Sequence, residues 1–289
     1  RIKGPMQRRI FLAGLTSTLA ACASPIGAFN ALAPRDGGAR RVAHGIAYGE
    51  GPRRQLDLYA PEAPGPHPVI VFIYGGSWST GRRQEYGFAG AAFAAQGFVT
   101  AVPDYRVVPE TRFPGFVEDC AGALRWVADH AGAYGGDPSR IVLVGHSAGA
   151  YNAMMLALDP RYLAEAGVDQ ARVRGVVGLA GPYDFTPFDV PATRAAFGEA
   201  PDAQLTQPVH FARADAPPLL LLWGDADTTV GARNLRSLDA AMRSAGGRVE
   251  TKIYSGVNHA EIMLAVSRPF RGRAPTLADV AGFAARVTS

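Results

Sequence analysis

The chain has 289 residues, of which 48% are hydrophobic and 19% charged. That is ample apolar material for a single core and the wrong balance for a disordered or fibrous protein. Its net charge of +4 resides in the first residues, because Arg1, Lys3, Arg8 and Arg9 precede Cys22 with no acidic residue among them. The remainder is neutral overall, without a basic stripe for nucleic acid or a like-charge block. The two cysteines, Cys22 and Cys120, do not amount to a disulfide framework.

Met6-Gln7-Arg8-Arg9 is followed by an apolar run from Ile10 to about Ala23 that ends in small residues. Basic start, apolar middle and small-residue end are the layout of an export leader, and the run is shorter than the ~20 apolar residues a membrane-spanning helix needs. Arg1 to Pro5, ahead of the methionine, read as translated upstream sequence. Leu19-Ala20-Ala21-Cys22 resembles a bacterial lipobox, in which the cysteine is lipidated and becomes the mature N-terminus. Arg8-Arg9-Ile10-Phe11-Leu12 resembles a twin-arginine export signal. The expected organisation is a leader over 1–21, a tether over 22–41 and one domain over 42–289. The protein is then expected in the cell envelope, touching the membrane only through a lipid on Cys22. An ordinary signal peptide with an incidental cysteine, and a secreted product, is the alternative.

His44 to Gly49 and Gln55 to Tyr59 alternate apolar and polar residues around a Gly-Pro turn, which predicts a hairpin with one solvated face. Pro68 to Tyr74 is apolar throughout and reads as a central strand, ending in Gly75-Gly76-Ser77-Trp78. A helix is predicted from about Glu85 to Gln96, then a strand over Phe98 to Val102 and a second helix over Phe116 to His130. Further buried strands are predicted at Val173 to Leu179, Pro217 to Trp223 and Glu250 to Tyr254. Helices fall at about Arg233 to Ala245 and at Leu277 to Val287. Strands alternating with helices imply a mostly parallel sheet covered on both faces, with the two leading strands making it mixed. A site in such a sheet lies outside the carboxyl ends of its strands.

One stretch carries the chemistry. Arg140 to Val144 is a buried-strand pattern, Gly145-His146-Ser147-Ala148-Gly149 follows at once, and Tyr151 to Leu158 reads as helix. Strand, G-x-S-x-G and helix together describe a nucleophile elbow, a turn sharp enough to strain the serine backbone and to need glycine on either side. Without that context the pentapeptide could arise by chance in a glycine-rich chain. With it, a serine hydrolase is expected.

From about Val42 to its end the sequence resembles the α/β-hydrolase family, in particular its esterase branch with a short H-G-G-x-W loop. The resemblance rests on Tyr48-Gly49 with Leu56 to Tyr59, Tyr74-Gly75-Gly76-Ser77-Trp78, Asp104-Tyr105-Arg106, Gly145 to Gly149, Gly224 to Val230 and Asn258-His259, in that order. It implies a mostly parallel eight-stranded sheet with helices on both faces, and a chain order of serine, acid and histidine. Ser147 is then the nucleophile. His259, in the loop after the last strand, is the base that a weakly nucleophilic serine needs. His44, His67, His130 and His210 read as surface or structural residues, and His146 is expected to face away through the turn. Asp225 and Asp227 both follow the strand at Pro217 to Trp223; the family's G-x-x-D-x-x-V pattern places the acid at Asp227 and leaves Asp225 a turn-capping role. Asp104, Asp119 and Asp184 fall in the wrong loops and read as structural.

The oxyanion donors implied are the backbone N–H groups of Ala148, Gly76 and Ser77. Tyr74 stands where most relatives have histidine, and Ser77 where many have a third glycine. A backbone donor survives both changes, and the Tyr74 hydroxyl can buttress the loop. Gly181 to Pro201, with Tyr183, Phe185, Phe188 and Phe197, either walls an acyl or alcohol pocket or fills core. The site is expected to be open to small esters, with no metal and no organic cofactor. An arylformamidase-type amidase and a non-catalytic hydrolase-like binding module are the alternatives.

Overall fold

The computed structural model describes residues 24–289. The expected leader and Cys22 lie outside the described residues, and no helix among those described is long and apolar enough to cross a membrane. The chain runs α1 (Pro25–Leu32), β1 (Ala39–Ala47), β2 (Gln55–Pro61), β3 (His67–Ile73), α2 (Gly87–Ala95), β4 (Val99–Pro103), α3 (Gly115–His130), β5 (Gly136–His146) and α4 (Ala148–Leu158). It continues with α5 (Pro160–Glu165), β6 (Val173–Leu179), α6 (Pro191–Phe197), β7 (Leu219–Gly224), α7 (Arg233–Ser244), β8 (Val249–Tyr254), α8 (Glu261–Leu264) and α9 (Thr276–Thr288).

The eight strands form one sheet in the order β1-β2-β4-β3-β5-β6-β7-β8. β1 pairs antiparallel with β2 and β2 antiparallel with β4, while every later pairing is parallel. β3, β6, β7 and the half of β5 from Ile141 onward are apolar and almost wholly buried because helices cover both faces. α3 packs on α4, and α2 packs on α9. The carboxyl ends of β3, β5, β7 and β8 lie at one edge of the sheet. The loops carrying Gly76, Ser147, Asp227 and His259 all leave from there.

The predicted hairpin forms, but its solvated face does not. Leu56 to Ala60 in β2 are all buried. The polar position Asp57 is covered by an ion pair and not by water: it accepts from Arg83 Nε at 2.8 Å and from the Gly45 N–H at 2.9 Å. Only the edge strand β1 keeps an exposed pattern.

The expected tether is also different. Ser24 accepts from the Gly27 N–H at 3.0 Å and Pro25 occupies the first turn, a strong helix start, so residues 25–32 form α1. Ser24 donates to Glu85 at 2.5 Å. Buried Asn30 donates to the Gln84 carbonyl at 2.7 Å and accepts from the Phe88 N–H at 2.9 Å. Phe29 meets Phe88 and Phe270 edge-on at centroid distances of 5.2 and 5.7 Å. α1 is therefore docked on the domain, and β1 begins at Ala39, ahead of the expected boundary at Val42.

Candidate active site

β5 ends at His146 and α4 begins at Ala148, leaving one residue to reverse the chain. That residue, Ser147, has φ 53° and ψ −124°, a backbone conformation L-residues rarely adopt. Its N–H is held by the Leu179 carbonyl of β6 at 2.9 Å. The flanking glycines are a packing requirement. A methyl group on Gly149 would overlap the carbonyl oxygens of Ile73 and Tyr74, and one on Gly145 would overlap the backbone of Gly149.

The elbow presents Ser147 Oγ to His259 Nε2 at 2.9 Å, and His259 Nδ1 lies 2.7 Å from Asp227 Oδ2. A neutral imidazole donating to Asp227 from Nδ1 leaves Nε2 free to accept from the serine hydroxyl. Asp227 Oδ1 accepts from the N–H groups of Thr229 and Val230 at 2.7 and 2.9 Å. Burial alone would raise the Asp227 pKa. The hydrogen bond from His259 and those two N–H groups outweigh it, and the carboxyl lies below its ordinary range. Asp225 points elsewhere and accepts from the Gly256 N–H at 2.6 Å. Of the two candidate acids, only Asp227 reaches the histidine.

The loop after β3 holds two successive non-glycine residues in the left-handed region, Ser77 at φ 52° and Trp78 at φ 54°. Gly76 at φ 128° precedes them, and a methyl group there would overlap the Thr80 carbonyl. The loop is pinned on both sides. Trp78 O accepts from the Val108 N–H at 2.8 Å, and Trp78 Nε1 donates to Asn152 Oδ1, on α4, at 3.3 Å. Ser77, Trp78, Ser147 and Ala148 border one cavity of about 440 Å³. The Ala148 N–H, as the first of α4, has no partner within the helix. Gly76 also borders a separate hollow. Tyr74 lies fully buried between the rings of Tyr86 and Tyr105 and donates to Asp104 Oδ1 at 2.8 Å.

The sequence model of the BD-FAE family matches residues 56–242, well over half of the chain and spanning the loop after β3 and the elbow. The chain belongs to the BD-FAE family. It is 29% identical over 262 residues to isoprenylcysteine alpha-carbonyl methylesterase ICME of Arabidopsis thaliana, covering 83% of this chain and 61% of that protein. It is 32% identical over 239 residues to esterase LipC of Mycobacterium tuberculosis, covering 73% of this chain and 59% of that protein. The chain thus spans about 60% of the length of these relatives. Among solved structures, the butyrate-bound esterase Est2 of Thermogutta terrifontis superposes with a TM-score of 0.69 at 26% identity, covering 87% of this chain and 95% of that one. The fold of this BD-FAE chain is the α/β-hydrolase fold of esterases.

Two residues of this BD-FAE chain take places its sequence did not suggest. His146 does not face away: its Nε2 donates to the His259 carbonyl at 3.0 Å, and its ring lies 4.9 Å from the His259 ring. Burial first, and the neighbouring His259 second, push the His146 imidazole down to about 3, so it is neutral. Asn152, five residues after the serine and inside α4, bridges Trp78 to the buried Cys120, whose Sγ lies 3.6 Å from its Nδ2. Its buried amide in an otherwise apolar helix was the available signal. The aromatic stretch divides. Tyr183 and Phe197 fill core, whereas Phe185 borders the cavity and stacks on Trp78 at 6.0 Å. Asp184 is paired with Arg233 at 2.7 Å on the cavity rim.

Gly149→Ala tests the packing requirement. It is expected to cost at least the ~1–3 kcal/mol typical of overpacking and to lower the thermal unfolding midpoint, because the clash is with backbone and not with a side chain that can rotate away. A neutral result in a melting experiment would contradict the close approach of α4 to β3.

Proposed function

We propose that this chain is a serine carboxylic-ester hydrolase that works on small or short-acyl esters through an acyl-serine intermediate. The observation that carries the reading is the hydrogen-bonded series Ser147–His259–Asp227, at 2.9 and 2.7 Å, beside the cavity bordered by Ala148. The esterase relatives support it.

In this reading Ser147 Oγ attacks the ester carbonyl carbon as His259 Nε2 takes its proton. The carbonyl oxygen becomes an oxyanion facing the N–H groups of Ala148 and of Ser77 and Gly76. Asp227 remains ionised, holding the ring with Nδ1 as donor and stabilising the imidazolium. The carbon–oxygen bond to the alcohol then breaks, and His259 returns the proton to the departing oxygen. Water, deprotonated by the same nitrogen, attacks the acyl-serine, the bond from the acyl carbon to Ser147 Oγ breaks, and His259 returns the proton to Oγ as the acid leaves. The cavity lies within the ~300–1,000 Å³ range of small-molecule sites, and Trp78 and Phe185 form an apolar, aromatic wall beside the reacting carbon. We also propose that Cys22 is the lipid-bearing mature N-terminus in the cell envelope, on the strength of Leu19-Ala20-Ala21-Cys22 alone.

Ser147→Ala should abolish turnover of p-nitrophenyl esters while leaving the fold intact, and a fluorophosphonate should label the wild type at Ser147 only. Label or turnover retained in the alanine variant would remove the mechanism. N-formyl-kynurenine in the same panel separates an ester hydrolase from a formamidase. Asp227→Asn should lower kcat by ~10⁴ by stabilising the wrong histidine tautomer, whereas Asp225→Asn, which loses only a turn contact, should cost far less. The opposite ranking would move the acid to Asp225. Mass spectrometry of the exported protein should find Cys22 acylated at the N-terminus, and an unmodified chain cleaved elsewhere would rule that out.

A further inference from the structure

The oxyanion donors of the proposed reaction come from two separate elements, the loop after β3 and the first turn of α4. Ser77 and Trp78 in that loop occupy the left-handed region, where non-glycine residues persist only if their surroundings hold them. The Trp78 carbonyl is held by the Val108 N–H at 2.8 Å. Its indole is packed among the rings of Phe116, Tyr151, Phe185 and Phe197. Apolar burial is non-directional, so the orientation of the indole falls to its one polar atom.

That atom, Nε1, donates to Asn152 Oδ1 at 3.3 Å. An indole nitrogen can only donate, so the amide must present its oxygen there and turn Nδ2 the other way, to Cys120 Sγ at 3.6 Å. Burial first, and Asp119 second, push the Cys120 thiol well above its ordinary range, which leaves the sulfur uncharged and a weak acceptor. Asn152 is fully buried, the one amide in a helix otherwise made of Ala, Gly, Tyr, Met and Leu. A leucine of similar volume would suit that place with no amide to desolvate. Two long hydrogen bonds add little to stability. What they supply is direction.

Asn152 lies about one turn along α4 from Ala148, the residue directly after the nucleophile. The helix that begins with one oxyanion donor therefore also grips the loop that carries the other. We infer that Asn152 is a positioning residue for the oxyanion hole, setting the Ser77 N–H against the Ala148 N–H through the Trp78 indole. The role rests on Ser147 being the nucleophile and on those two N–H groups facing the oxyanion. Because the donors act only as negative charge develops on the carbonyl oxygen, misplacing one lowers kcat and leaves substrate binding alone.

A double-mutant cycle tests it. Removing an oxyanion donor outright costs ~10²–10³ in kcat, so Asn152→Leu, which only frees the loop, should lower kcat on p-nitrophenyl acetate by about tenfold to a hundredfold. KM should stay within about twofold. A trifluoromethyl ketone, whose serine adduct carries the oxyanion, should lose affinity by the same factor as kcat/KM. In a Trp78→Phe background, where the indole donor is already gone, Asn152→Leu should change kcat by less than about twofold. Thermal unfolding reports that each variant is folded. If Asn152→Leu fails to fold, Trp78→Phe removes the same hydrogen bond from its other end and should itself lower kcat and inhibitor affinity together. An unchanged kcat, a loss of kcat with full affinity for the ketone, or losses that add in the double variant would each overturn the role of Asn152. A wild type with neither ester turnover nor fluorophosphonate labelling would overturn the serine-hydrolase reading as well, which keeps the two failures distinct.

Discussion

α4 is seated so near the end of β3 that a methyl group on Gly149 would overlap the carbonyl oxygens of Ile73 and Tyr74. The rest of the site follows from it. With α4 seated this near, Ser147 must reverse the chain in one residue and adopts φ 53°. The Ala148 N–H is brought beside Ser77 and Trp78, which border the same cavity from the neighbouring strand. Strain in the serine backbone is sustained because the surroundings over-determine it. β6 holds the Ser147 N–H, β3 blocks any side chain at 149, and α4 cannot withdraw without unpacking from β5 and β6.

The loop after β3 carries a comparable strain at Ser77 and Trp78 and is stabilised from beneath by buried charge. Arg83 bonds both Asp57 and Asp104, and Asp104 also accepts from the Tyr74 hydroxyl and the Arg83 N–H. Burial alone would make the guanidinium easier to deprotonate, but hydrogen bonds to the two carboxylates reverse that and raise its pKa. Removing one member of such a cluster strands the others in a dry environment, so the group behaves as a unit. Tyr74 joins it to the aromatic stack of Tyr86 and Tyr105. Tyr74 thus supports the loop from below through its hydroxyl.

His146 bears on the electrostatics of the centre. Its ring lies 4.9 Å from that of His259, close enough that charges on both would repel. Burial keeps His146 neutral, and its donated hydrogen bond fixes the backbone from which His259 projects.

Much of this was legible in the residues themselves. Period and composition located the eight strands within one to three residues at most of their ends, because a strand buried on both faces must be continuously apolar whatever its neighbours. The elbow was legible because only a strand, a helix and two glycines permit so sharp a turn. The order of Ser147, Asp227 and His259 along the chain pointed to the three loops that converge. Other features depended on tertiary contact. Asp57 alternates with leucines as a solvated strand would, and only Arg83, from another element, makes its face interior. Residues 25–32 are apolar but form a short segment followed by turn residues, and their docking is decided by what Phe29 and Asn30 meet across the fold. Asp225 and Asp227 follow the same strand, and in the sequence only the family pattern favoured Asp227. The loop geometry that aims one at His259 and the other at the Gly256 N–H is a property of the assembled sheet edge. Periodicity reports which residues leave water, whereas the partner each then meets is set by strand order and by close approaches between distant segments.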